Sequence, residues 1–188
     1  MKIVSVSVLF VCISFNSAFA CEDRQLLDNE QVRSLIATIK DASSDPLDQV
    51  FAFENLMCAS RQTVRDHAMR VALKASSKAL SGRVLSEVLM SSELLRLAFP
   101  IDDSMGRSQI AFSKTTPSFT MNNAKFYRTD NKIEYINQGE LSINGTKVDI
   151  LHYDIGSGTF FLEDGRLKGL FRPKKADFQV PAIVNLLG

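Results

Sequence analysis

The apolar residues of this chain change period near Pro100, and no other feature narrows its fold as far. Before that proline they recur every three or four residues, the spacing of one face of a helix. After it they come in short alternating runs cut by Gly, Asn and Asp, the spacing of half-buried strands. Val32, Leu35, Ile36 and Ile39 form the first helical stripe, with Asp28 placed as N-cap and Gln31 three residues on. Asp45-Pro46 opens a second helix, because proline fits the first helical position, and Leu47, Val50, Phe51, Leu56 and Met57 give it a broad apolar face. A third follows Ser60, with Val64, Ala68, Val71, Ala72 and Ala75. A fourth is expected over residues 81–98 on Val84, Leu85, Val88, Leu89 and Leu95, with Gly82 and Ser91-Ser92 as points of bending. Short links between these segments predict antiparallel neighbours.

Beyond Pro100 the turn residues do the sorting. Asn144-Gly145 separates two alternating runs within 141–150, and Asp164-Gly165 does the same within 160–170; each pair suits a two-residue hairpin turn. Two hairpins in succession make an antiparallel meander. Further strands are expected at 109–113, 118–127, 132–137 and 180–187, with Pro181 either holding the last to a sheet edge or delaying its start. Ile155-Gly156-Ser157-Gly158-Thr159 reads as a loop between strands. The sequence therefore predicts an α+β protein: a bundle of about four short antiparallel helices over residues 21–99, then an antiparallel β-meander over 100–188.

Within the third helix, Thr63-Val64-Arg65-Asp66-His67-Ala68-Met69-Arg70-Val71-Ala72-Leu73 resembles a HEAT-type repeat helix, in which a Val-Arg pair is followed by Ala and then Leu. The resemblance is confined to residues 29–98, and two helix pairs fall short of the three or more repeats that such arrays need. It implies a small helical stack offering a surface to another protein. A plain four-helix cluster packed on the β half accounts for the same residues.

The first residues bear on location. Met1-Lys2 supplies one positive charge, residues 3–15 are apolar apart from serines, and Ala18-Phe19-Ala20 puts small residues at the two positions a signal peptidase inspects. A signal peptide over 1–20, cut before Cys21, sends the mature chain to the periplasm or extracellular space. No later segment is apolar enough to span a bilayer. An oxidising compartment permits Cys21 and Cys58 to pair. The competing expectations are acylation of Cys21, as in a lipobox that prefers Leu where Ala18 stands, and two free thiols. Removing Lys2 with the leader takes the formal charge from +1 to zero, so the total implies neither nucleic acid nor an acidic surface as partner.

Catalytic constellations are sparse. The two histidines, His67 and His152, lie in different halves with no partner at metal or triad spacing, so neither a metal nor a cofactor is expected. No Gly-x-Ser-x-Gly elbow, phosphate loop or dinucleotide motif occurs. Two basic lines supply the candidate binding residues. Arg166, Lys168, Arg172 and Lys174 share one parity of the last hairpin, and Arg70, Lys74 and Lys78 follow at i, i+4, i+8 on the third helix. A solvated face has the same appearance. The reading is an exported, non-catalytic binding protein whose partner is a protein or an anionic envelope component. The alternatives are a secreted hydrolase in which Asp149, Asp154 or Glu163 works with His152, and an envelope lipoprotein held through Cys21.

Overall fold

The computed structural model describes residues 21, 24–92, 94–122, 126–129 and 131–186, with the side chains of 126–129 excepted; the expected leader, 1–20, lies outside the described residues. Four helices come first: α1 (Asn29–Lys40), α2 (Pro46–Met57), α3 (Gln62–Ala72) and α4 (Lys78–Ser91). Then come β1 (Leu94–Ala98), a fifth helix α5 (Arg107–Thr115), β2 (Ser118–Asn122), β3 (Phe126–Thr129), β4 (Lys132–Tyr135), β5 (Gly139–Asn144), β6 (Lys147–His152), β7 (Gly156–Glu163), β8 (Arg166–Pro173) and β9 (Val180–Asn185). The chain is an α+β protein with an antiparallel sheet.

Local chemistry explains the helix starts. Asp28 accepts from Gln31 N–H at 2.8 Å while the Gln31 side chain accepts from Asp28 N–H at 2.9 Å, a complete capping box. Asp45 caps α2 at Leu47 N–H, with Pro46 at the first helical position. Ser77 does the same for α4 at Leu80 N–H.

Four expectations need correction. Leu94–Ala98 belongs to the sheet rather than to the fourth helix, which stops at Ser91. Residues 109–113 lie in α5, where the Gln109 carboxamide accepts from Gly106 N–H. The residues expected as the loop at 155–159 enter β7 at Gly156. Pro181 is in an interior strand, since β9 lies between β8 and β1. The physical reason is a short partner: β1 reaches only Ile183 and Val184, so Pro181, which has no N–H to give, sits beyond its end.

The nine strands run in the order β2-β1-β9-β8-β7-β6-β5-β4-β3, every pairing antiparallel. The two outermost strands in that order are joined by the chain itself: only four peptide steps separate Asn122 from Phe126, a reach of about 14 Å. A flat nine-stranded sheet would hold them roughly 38 Å apart. The sheet therefore curls until its edges approach. Two contacts across the curl agree: Asn122 N–H donates to Gln138 Oε1 at 2.8 Å, and the Phe119 and His152 rings meet edge to face at 5.1 Å.

Glycines on the inward face make that curvature possible. A Cβ on Gly169 would strike the Thr159 carbonyl oxygen, and one on Gly158 would stand 2.7 Å from the Leu170 carbonyl oxygen. The large rings opposite them, Phe160 against Gly169 and Phe171 against Gly158, are fully buried and fill the space the glycines leave.

One continuous core joins both halves: Leu56, Leu80, Leu85 and Leu89 from the helices, and Leu97, Met121, Leu141, Val148, Phe160, Leu167 and Phe171 from the sheet. Helix α4 meets the tip of the β5–β6 hairpin, where a Cβ on Gly82 would lie 3.0 Å from the Gly145 carbonyl carbon. The Cys21–Cys58 disulfide, with Cα atoms 5.5 Å apart, ties the N-terminal segment to the end of α2. Gln25 then bridges the same loop, donating to Cys58 O at 2.9 Å and accepting from Ser60 N–H at 2.8 Å.

Candidate functional site

Alternation along β5 to β8 sends every second residue to the solvent face, and there the sheet forms a trough of about 870 Å³. Three large apolar side chains lie in it: Leu151, Phe161 and Leu170 are 38%, 50% and 51% exposed. They surround Thr159, which pairs with Leu170 on β8 and Asp149 on β6, while Phe161 pairs with Lys147 and Lys168 and Leu151 with Ser157. Leaving such residues in water forgoes about 1.5–3 kcal/mol each relative to burial, which makes a clustered exposed patch a mark of use rather than of packing.

Charge is arranged asymmetrically around the trough. Glu140 and Asp149 stand on the β5–β6 side, Lys168 and Arg172 on the β8 side. The acids are already partnered: Lys132 Nζ is 2.6 Å from Glu140, and Lys147 Nζ is 2.8 Å from Asp149. Thr159 Oγ1 also donates to Asp149 at 2.5 Å. Hydrogen bonds from Lys147 and Thr159 hold the Asp149 carboxyl below the usual carboxylate range. Lys168 Nζ lies 3.5 Å from Glu163. Arg172 forms no ion pair among the described residues and faces Ser157 across the ladder. The trough thus offers apolar anchors and an unengaged guanidinium at one rim.

The seven basic residues singled out from sequence divide among different surfaces. Lys168 and Arg172 line the trough. Lys174 donates to Tyr153 O at 2.6 Å and ties down the β6–β7 turn. Arg166 turns instead to a second, smaller groove, where it meets Arg70 and Lys74 of the helical line. Lys78, at the first position of α4, is exposed and lines neither.

Asp149 does not share a face with His152, whereas Asp154 lies near enough to act on the His152 charge. Asp149 and His152 are three residues apart on β6 and so point to opposite faces. His152 packs on Phe119, and its Nδ1 accepts from the backbone N–H groups of Asp154 and Ile155 at 3.2 and 3.3 Å, so that lone pair is already engaged. Burial holds its imidazole below the ordinary range, opposed in part by the nearby Asp154 charge. Among the described residues no group of three or more His, Cys, Asp or Glu side chains is placed to hold a metal ion. No described helix is long and apolar enough to cross a membrane.

Comparison with family models, with curated proteins and with solved structures finds no match to this chain.

Sequence reasoning did not single out Leu151, Phe161 and Leu170, the exposed apolar side chains of the trough. The signal was present: each occupies a position of the polar parity, Leu151 with Lys147 and Asp149, Phe161 with Ser157 and Thr159, Leu170 with Lys168 and Arg172.

Proposed function

We propose that this is an exported, non-catalytic binding protein whose partner is another protein, held in the trough on the solvent face of β5–β8. The observation that carries the reading is the cluster of exposed Leu151, Phe161 and Leu170 beside the unengaged Arg172 guanidinium. A partner segment presenting apolar side chains next to a carboxylate complements it: the apolar groups leave water on the trough floor, and the carboxylate accepts a charge-assisted bond from Arg172. The hydroxyls of Ser142, Ser157 and Thr159 line the same trough and fix orientation. Export is supported by the signal-peptide pattern of residues 1–20 and by the disulfide, a bond that persists in oxidising compartments. The same disulfide occupies the sulfur that a lipid anchor would need.

A photocrosslinking residue placed at Leu170 in the producing cell tests this. The expected result is one discrete crosslinked species, present from position 170, absent from position 40 on α1, and lost when Phe161→Ser is added. Equal labelling from both positions, or none from position 170, sinks the reading.

A further inference from the structure

The second groove lies where the end of α3 meets the β7–β8 turn. It encloses about 360 Å³ and is lined by Arg70, Lys74, Asp164, Gly165, Arg166 and Asn185, with Leu73 and Leu186 as apolar wall. Arg70 is in the last turn of α3, and Lys74 follows just past its end, in a turn where its N–H donates to Val71 O at 3.0 Å. Arg166 reaches the groove from β8 and lies opposite Asn185 of β9 in the ladder. Asp164 and Gly165 both adopt positive φ, 50° and 76°, which turns the hairpin tightly enough to bring Arg166 beneath the helix. Lys74 lies over the turn: a Cβ on Gly165 would stand 3.3 Å from its Cγ and Cε atoms.

Three cations line the groove; Glu163 stands opposite Arg166 in the β7–β8 ladder but pairs with Lys168 instead. The ion pairs formed by lysines and arginines of the described residues are those of Arg83, Lys132, Lys147 and Lys168; none involves Arg70, Lys74 or Arg166. The side-chain nitrogens of these three form no hydrogen bond among the described residues either, their backbones alone being paired. The one carboxylate in the groove, Asp164, lies 3.9 Å from Lys168 Nζ. Like charges held close together repel, so an arrangement of this kind is at its most stable when an anion occupies it.

We propose that this groove is an oxyanion site for a phosphoryl group. Two guanidinium forks and an ammonium match a tetrahedral group with several acceptor oxygens, and the Asn185 carboxamide adds a neutral donor. The volume admits a phosphate or a phosphate monoester. The site shares no residue with the trough, so either can fail alone.

The test uses the full mature chain with its disulfide intact, titrated calorimetrically with inorganic phosphate at low salt. A parallel flotation assay with phosphatidylglycerol vesicles, against phosphatidylcholine vesicles, tells a lipid headgroup from a soluble anion as the source. The expected result is saturable binding in at least one arm, weakened about tenfold or more by Lys74→Gln and by Arg166→Gln, and unchanged by Lys114→Gln on α5. Thermal melts confirm that the variants fold. Absence of binding in both arms, or binding that survives Arg166→Gln undiminished, overturns the proposal.

Discussion

Gly82 of α4 rests against Gly145 at the β5–β6 turn so closely that a Cβ on Gly82 would lie within 3.0–3.2 Å of three Gly145 backbone atoms. The inner side of α4 is buried in the core, so a side chain at position 82 has to push the Gly145 turn aside. Gly82→Val is expected to lower unfolding stability by about 2 kcal/mol, read as a reduced midpoint in urea. A midpoint at or above the parent's would mean that the contact is slack.

The disulfide closes a sequence separation of 37 residues. Cross-linking a loop of that size removes unfolded-chain entropy worth about 3–4 kcal/mol. Cys58→Ser, compared with the oxidised parent, is expected to lose stability on that scale, and reductant is expected to bring the parent down to the variant.

His152 makes stability depend on pH. Its folded pKa lies below the ordinary 6.5, so the unfolded chain binds the extra proton first. The contribution is whole above about pH 6.5 and is lost as the pH falls below that value, levelling off once the folded imidazole also protonates. The groups facing it are Asp154, which opposes the shift, and the uncharged Phe119. Denaturant titrations from pH 8 to pH 4 are expected to show a decline beginning near 6.5 that is reduced in His152→Gln; an unchanged slope in the variant would place its origin elsewhere.

Tyr135 carries a buried hydroxyl with no partner among the described residues, and burial pushes its pKa up to about 12. Tyr135→Phe removes an unsatisfied polar atom and keeps the ring. The variant is expected to match the parent within about 1 kcal/mol or exceed it. In the parent, the neutral phenol is favoured by folding, so stability is expected to fall as pH rises from about 10 to about 12. Absorbance of ionised tyrosine against pH reads this directly.

Local signals in the sequence were faithful where the structure itself is local. Asp28 with Gln31, Asp45 with Pro46, and the Asp164-Gly165 turn each act through neighbours a few residues away, and each forms as expected; the hairpin at Asn144-Gly145 also forms, but one residue later, with Asn144 paired to Lys147 and Gly145-Thr146 as its loop. Leu94–Ala98 was misread because its leucines fit either period; its strand character comes from partners at Ser118–Asn122 and Ile183–Val184. In α5, Ile110 and Phe112 alternate like a strand, yet Phe112 packs edge to face on Phe99 and the Gln109 side chain holds the helix start. The meeting of Arg70, Lys74 and Arg166 was illegible for a different reason: it depends on where α3 settles on a hairpin nearly a hundred residues later.

The pairing of Leu97 with Val184 sets an order of events. Ribosomes deliver β1 well before β9, so the strand beside Leu97 has no neighbour on that side until Val184 has been made. Helices near the amino terminus can settle early, but the curved sheet has to wait for its final piece. Any product that stops before Val180 is left with an unsealed seam, its backbone amides and apolar interior open to whatever strand drifts past.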